Sequence, residues 1–174
     1  MRSSELIWRQ PNNFAVTSGD IGEALQRSAS QLKANGNTMS ESIGMIVGAQ
    51  ETVQDASKLG NALKTIAVNI NGVTYNAKEG EVTLNKTAKA LKEVAGIETA
   101  DLAKGTTRPL FDVLNELHDK WDSLNDVEQK TVTEAIGSKY HANVLQAMLD
   151  NWETVLQYVQ EYNDGFTVDS AKQE

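Results

Sequence analysis

The sequence predicts an all-α protein, a bundle of about six or seven helices arranged in two lobes. Helix start and stop residues recur along the chain, and apolar residues recur between them at steps of three and four. Strand-like alternation is confined to residues 73–84, where we expect either a short hairpin or an irregular loop. The expected organisation is an N-terminal segment (1–16), a three-helix lobe (17–72), a second helical lobe (85–163) and a flexible tail (164–174).

Capping residues delimit the helices of the first lobe. Asp20 and Glu23 have the spacing of a capping box, which predicts a helix start, and Gly36 is expected to end that helix. The expected starts of the second and third helices are Thr38 or Ser40, and Asp55 or Ser57. Asn71 and Gly72 then end the third helix.

Two glycines lie four residues apart in the second helix, at Gly44 and Gly48. Inside a membrane this spacing favours close helix dimerisation. The sequence contains no run of about 20 apolar residues, so we expect no membrane span. The glycines therefore predict a tight helix crossing within the chain.

The second lobe begins with a fourth helix, capped by Asn85 and ended by Gly96, followed by a linker over residues 97–107. Pro109 fits the first turn of a fifth helix, with Thr107 as its cap. A packing stripe then runs along that helix. Its residues are Leu110, Leu114, Leu117, Trp121 and Leu124.

Asn125 and Glu128 form a second capping-box pair, which predicts a sixth helix ending at Gly137. The last helix is expected from about Ser138 to Asn163, with apolar residues at alternating steps of three and four. This interaction seam consists of Leu145, Met148, Trp152, Val155, Val159 and Tyr162. The seam needs a partner surface, either the first lobe of this chain or another copy.

Charge is distributed unevenly along the chain. The net charge is −8, yet residues 1–72 carry six Lys and Arg against six Asp and Glu, so the whole deficit lies in residues 73–174. Residues 131–149 have the outline of a helix-turn-helix, but the second helix offers Lys139 and His141 within an acidic half. Because cationic side chains dominate nucleic-acid affinity, we expect no nucleic-acid partner.

No residue pattern indicates catalysis or cofactor binding. His118 and His141 lack neighbours at metal-ligand spacing, and we expect His118 on the helix surface. The chain contains no cysteine, which excludes disulfides and thiolate metal sites. We therefore expect neither an enzyme nor a small-molecule substrate, and no metal or cofactor.

Two stretches resemble the core region of tail tape measure proteins of long-tailed bacteriophages and prophages. The first is GDIGEALQRSASQLKANGNTMSESIGMI, continued by LGNALKTIAVNING; the second is GIETADLAKGTTRPLFDVLNELHDKWDSLNDVEQKTVTEAIGSKYHANVLQAMLDNWE. Trp121, the Ala-Ile-Gly-Ser-Lys run around Gly137 and the Asn-Val-Leu run ending at Leu145 carry much of the likeness. The resemblance covers residues 17–153.

The resemblance implies a structural role in tail assembly, tail-length determination and genome delivery. It also implies copies of the same protein and tail tube and assembly proteins as partners. The implied location is the tail tube lumen in the virion and the host cytoplasm during assembly. The alternative hypothesis is a helical adaptor that binds a partner helix through its C-terminal seam.

Overall fold

The computed structural model describes residues 17–171 of the chain, so the N-terminal segment 1–16 lies outside the described residues. The fold over these residues is all-α, as the sequence predicts, and it includes two small hairpins. Seven α-helices are present within this range. They are α1 (Ser18–Ala34), α2 (Met39–Gln50), α3 (Ala56–Ile70), α4 (Lys86–Ala90), α5 (Leu110–Lys120), α6 (Asp126–Asp150) and α7 (Trp152–Ala171).

Local side-chain caps open the first three helices. Thr38 and Glu41 form a complete capping box at α2, and the carboxylate of Asp55 accepts from the third backbone N–H of α3. The predicted Asp20 cap of α1 is wrong. Thr17 is the cap: its Oγ1 accepts from the Asp20 amide at 3.1 Å and donates to the Asp20 carboxylate at 2.8 Å.

Helix α2 is the central element of the fold. Its residues from Ser42 to Gln50 are all buried, so it is enclosed on every side. Helices α1 and α3 run parallel to each other beside it. Near their starts, Gly60 of α3 lies against Ala24 and Arg27 of α1. At their C-terminal ends, the side chain of Asn35 donates a hydrogen bond to that of Asn71. The chain therefore places Thr17 and the α2–α3 loop at one end of the bundle.

Of the two alternatives expected for residues 73–84, a hairpin or an irregular loop, the structure shows the hairpin. Strands β1 (Val73–Asn76) and β2 (Glu81–Leu84) are antiparallel, with Val73 opposite Leu84 and Tyr75 opposite Val82. A second, smaller hairpin lies within the region expected to be a linker. It pairs β3 (Ala100–Asp101) with β4 (Thr106–Thr107). Two-residue strands carry almost no periodic signal, which is why the sequence pattern does not predict them.

Helix α4 begins at the predicted cap, Asn85, whose side chain accepts from the Ala88 amide. It continues as a π-helical turn over Leu91–Ala95 and ends at Gly96, whose φ of 65° is left-handed. The predicted start and end of this helix are both confirmed, whereas the wider winding of its second half has no signature in the sequence.

The start of α5 differs from the prediction. Pro109 is the residue before the helix, with extended backbone, and makes no side-chain cap. The cap comes from residues far away in sequence: Asn35 Oδ1 accepts from the Leu110 amide at 2.6 Å, and Asn37 Oδ1 accepts from the Phe111 amide at 2.9 Å. The first backbone N–H groups of a helix have no partner within the helix. The two asparagines, which are both buried, supply the missing acceptors for Leu110 and Phe111.

The predicted sixth helix starts at its Asn125–Glu128 capping box, and its predicted end at Gly137 lies next to a break in the helix at Ser138. The chain continues as the second half of α6 after that break, and this half ends at Asp150. Helix α7 then begins at Trp152 and continues to Ala171, past Asn163, into the stretch predicted as a flexible tail. The continuous helix predicted from Ser138 to Asn163 is therefore wrong, because Asn151 interrupts it.

One buried apolar core joins the elements of both predicted lobes. It contains Ile43 and Leu63 from the first lobe together with Leu114, Leu145 and Trp152 from the second. The division of the chain into two lobes stays a prediction.

Candidate interaction surface

The six seam residues lie on two helices rather than one. Leu145 and Met148 belong to α6, and the other four belong to α7. Leu145, Met148, Trp152 and Val155 are buried, whereas Val159 and Tyr162 are half-buried. The helix is interrupted at Asn151, between the seam residues of α6 and those of α7. The buried seam residues of both helices belong to the same apolar core.

Helix α7 crosses α2 at its two glycines. A Cβ on Gly44 would lie 2.9 Å from Val159 Cγ2 and 3.2 Å from the Val155 carbonyl oxygen. A Cβ on Gly48 would overlap Val155 Cγ2 outright. Because a hydrogen atom replaces Cβ at both positions, the backbones approach closely, and the predicted tight crossing within the chain is what the structure shows.

Trp152 is the largest fully buried side chain of the seam. Its Nε1–H donates to Asn115 Oδ1 at 2.8 Å, which satisfies the polar edge of the indole inside the core. Its ring lies 5.3 Å from the Phe111 ring and 6.4 Å from the His118 ring, measured between centroids. His118 thus packs one side against Trp152 while its side chain stays 29% exposed, so it lies at the edge of the helix surface.

Asn151, between α6 and α7, forms hydrogen bonds with residues at and just after the C-terminal end of α2. Its Nδ2 donates to the Gly48 carbonyl at 2.9 Å and to Thr52 Oγ1 at 3.0 Å. Thr154 adds a longer bond to the Glu51 carboxylate at 3.4 Å. These contacts fix the beginning of α7 beside the end of α2. Because Val155 lies against Gly48 and Val159 against Gly44, the two helices run antiparallel.

Tyr158 belongs to the buried face of α7, although the seam pattern omits it. Its side chain is 1% exposed, and burial raises the pKa of its hydroxyl to about 12. Its ring lies 6.3 Å from the Tyr162 ring. A helix that starts at Trp152 has Val155, Tyr158 and Tyr162 on one side, so the sequence would have indicated Tyr158 had the break been placed at Asn151.

The break in α6 is held by side chains from outside the helix. Ser138 has φ 52° and ψ 176°, which no α-helical residue adopts. Thr87 Oγ1 donates to the Ala135 carbonyl at 2.7 Å, and Asn69 Nδ2 donates to the Ile136 carbonyl at 2.7 Å. The carbonyls that lose their helical partners at the break are therefore hydrogen-bonded elsewhere.

A small ion-pair network holds the second hairpin against α5. Glu116 accepts from Arg108 at 2.7 Å and from Lys120 at 3.1 Å, and Arg108 also donates to the Glu98 carbonyl at 2.8 Å. The hydrogen bond from Arg108, aided by Lys120, keeps the pKa of the Glu116 carboxyl below its usual value. The network is structural, because each charge pairs with a partner on the protein.

No group of three His, Asp or Glu side chains within residues 17–171 converges on a point that could hold a metal ion. His118 lies on α5 and His141 on α6. Among the helices of this same range, none combines the length and the apolar character needed to cross a bilayer.

The sequence model of the phage-related minor tail protein family matches residues 2–137. The chain belongs to the phage-related minor tail protein family. No solved structure matches the chain.

The matched part ends at Gly137, beside the break in α6. It contains the three-helix lobe, both hairpins and α5, while the seam residues lie beyond it. Membership in this family gives the chain a structural role in a phage tail, and families of this kind are generally not enzymatic.

Proposed function

We propose that this chain is a segment of a tail tape measure protein, which determines tail length during assembly. The observation that carries the proposal is the minor tail family match over residues 2–137. The all-α fold supports it, because a helix advances about 1.5 Å per residue and so relates residue number to length. The resemblance of residues 17–153 to tape measure proteins adds the specific role.

The proposed partners are other copies of the chain and the tail tube and assembly proteins. The proposed location is the tail tube lumen, reached from the host cytoplasm during assembly. A continuous helix of the whole chain would be about 260 Å long. Because the isolated chain folds as a bundle, its neighbours in the tube would have to impose any extended form.

A helical adaptor that binds its partner through the seam is less consistent with the geometry. The seam side of α7 is already occupied, since Val155 and Val159 lie on the glycines of α2. A partner helix could reach that side only after α7 leaves the core, which would expose Trp152 and Val155.

The proposal is tested by changing the length of this segment in the phage genome and measuring tails by electron microscopy. In-frame deletion of residues 17–171 should shorten the tail by at most about 230 Å, and duplication should lengthen it by the same amount. The matched control is Gly48→Leu, which disturbs the α2–α7 crossing without changing the residue number, and should leave tail length unchanged in the tails that form. Tails of normal length from the deletion strain would contradict the proposal.

A further inference from the structure

The break in α6 replaces one pair of hydrogen bonds with another. In a continuous α-helix, the carbonyls of Ala135 and Ile136 would accept from the backbone amides four residues further along the chain. In the structure these same two carbonyls accept from Thr87 Oγ1 and from Asn69 Nδ2, each at 2.7 Å. A bent α6 and a continuous α6 are therefore two ways of satisfying the same pair of backbone acceptors.

The chain around the break gains less from the bend than those carbonyls do. The Tyr140 amide, which a continuous helix would pair with Ile136, donates to Ser138 Oγ at 3.3 Å, a long distance for such a bond. Ser138 itself has φ 52° and ψ 176°, a conformation that is almost restricted to glycine. The local backbone thus favours the continuous helix, and bonds from other elements favour the bend.

The two outside donors lie at the two ends of the first hairpin, with Asn69 before β1 and Thr87 after β2. Asn85 joins these ends, because its Nδ2 donates to the Asn69 carbonyl and its amide donates to the Gly72 carbonyl, each at 2.9 Å. We call the side chains of Thr87 and Asn69 the latch. A displacement of the hairpin with its two ends would withdraw both parts of the latch from α6 together.

A close contact beside the break exists only in the bent form. A Cβ on Gly137 would lie 3.0 Å from the Ala142 backbone nitrogen and 3.2 Å from its Cα. In a continuous helix, residues five apart are separated by about 7.5 Å along the axis, so this contact would be absent. The bend therefore depends on glycine at position 137, whereas a continuous helix would accept alanine there.

We propose that α6 is a two-state helix, which the latch holds bent and which closes into one continuous helix across Ser138 when the latch withdraws. Straightening changes the angle between the two halves, so Ile136 and Leu145 cannot both keep their places in the core. Because α7 follows the second half directly, the contact of Val155 with Gly48 changes with it. The proposal does not depend on a role in tail-length determination, since the exchange of bonds takes place within one folded chain.

The test is a distance measured across the break in the full chain by double electron–electron resonance. The chain contains no cysteine, so Lys130→Cys and Asp150→Cys attach spin labels at two exposed positions of α6, one on each side of Ser138. In a continuous helix these positions would be about 30 Å apart. We expect a shorter distance in the labelled chain with the latch intact, because a bent helix brings its ends closer together.

Removing the latch with Thr87→Val and Asn69→Leu should raise the ratio of long to short distances at least about tenfold, because two hydrogen bonds that hold the bend are lost. The matched control is Thr133→Val. Thr133 is 6% exposed and Thr87 is 5% exposed, but the Thr133 hydroxyl donates to carbonyls within the first half of α6. The control should change the ratio less than about twofold.

A second variant reaches the same state with the latch intact. Gly137→Ala should favour the long distance, because the added methyl group meets the Ala142 backbone only in the bent form. Its control is Gly165→Ala, whose methyl group would meet no atom within 4 Å and should leave the short distance unchanged. Adding Ser138→Gly to the latch variant should restore the short distance, because glycine adopts the bent conformation readily.

Circular dichroism shows whether each variant keeps its helices. A short distance in a latch variant that is still helical would overturn the proposal, and so would a long distance in the chain with the latch intact. Straightening by Thr133→Val or Gly165→Ala, or no restoration by Ser138→Gly, would also contradict it. If the latch variant loses its helical signal, Gly137→Ala decides: a long distance supports the two-state helix, and a short distance rules it out.

Discussion

At the scale of single residues, Gly48 is the most restrictive position in the α2–α7 crossing. Val155 is a β-branched residue with a stiff side chain, so it cannot easily turn away from a new methyl group at position 48. Gly165 of α7 is the opposite case, since a Cβ there would meet no atom within 4 Å. Replacing each glycine by alanine therefore distinguishes two effects on stability: overpacking at position 48 and helix propensity alone at position 165.

We predict that Gly48→Ala destabilises the protein by about 1–3 kcal/mol, because the added methyl group overpacks the crossing. Gly165→Ala should instead stabilise it by up to about 1 kcal/mol, because alanine favours a helix more than glycine does. Urea unfolding followed by circular dichroism measures both changes. Stabilisation by Gly48→Ala would mean that α7 does not lie on α2.

At the scale of elements, the break in α6 shows how a helix can be interrupted by one residue with unusual backbone geometry. Ser138 combines a positive φ with an extended ψ, a region that glycine occupies far more readily than serine. The donors Thr87 and Asn69 lie on other elements, so the surrounding structure maintains the break.

We predict that Ser138→Gly stabilises the protein by up to about 1 kcal/mol, because glycine adopts this backbone conformation with less strain. The control is Ser30→Gly, at an exposed position inside α1, where the same substitution should destabilise by about 0.5 kcal/mol. Thermal unfolding of the two variants gives the comparison. Equal destabilisation of both would show that Ser138 is helical in solution.

The elements also show which features could be predicted from the sequence. The capping boxes at Thr38 and Asn125 were predictable because both partners lie within three residues. The cap of α5 was not, because Asn35 is 75 residues away from the amide that it accepts. The seam residues were predicted as one periodic apolar series. That series continues unbroken across Asn151, where the helix itself ends, so the apolar pattern could not mark the break.

At the scale of the whole molecule, folding into a bundle makes the protein far more compact than an extended helix of the same number of residues. We predict a radius of gyration of about 16 Å for the monomer by small-angle scattering at low concentration. A single continuous helix of the same chain would give about 75 Å. The compact value is expected because a lone rod would leave the core, including Ile43, Leu114 and Trp152, in water. A rod-like scattering profile would contradict the prediction.

The antiparallel packing of α7 on α2 has a mechanical consequence. The described chain enters the bundle at Thr17, and α7 starts at that same end and runs past Gly44 towards the end where α2 begins. A pulling force applied at Thr17 and at the end of α7 therefore acts along the helix axes. It loads the α2–α7 crossing in shear, so that Val155 and Val159 must slide past Gly48 and Gly44 together before the bundle can lengthen. By contrast, when two antiparallel elements are pulled apart from one end, their contacts break one after another.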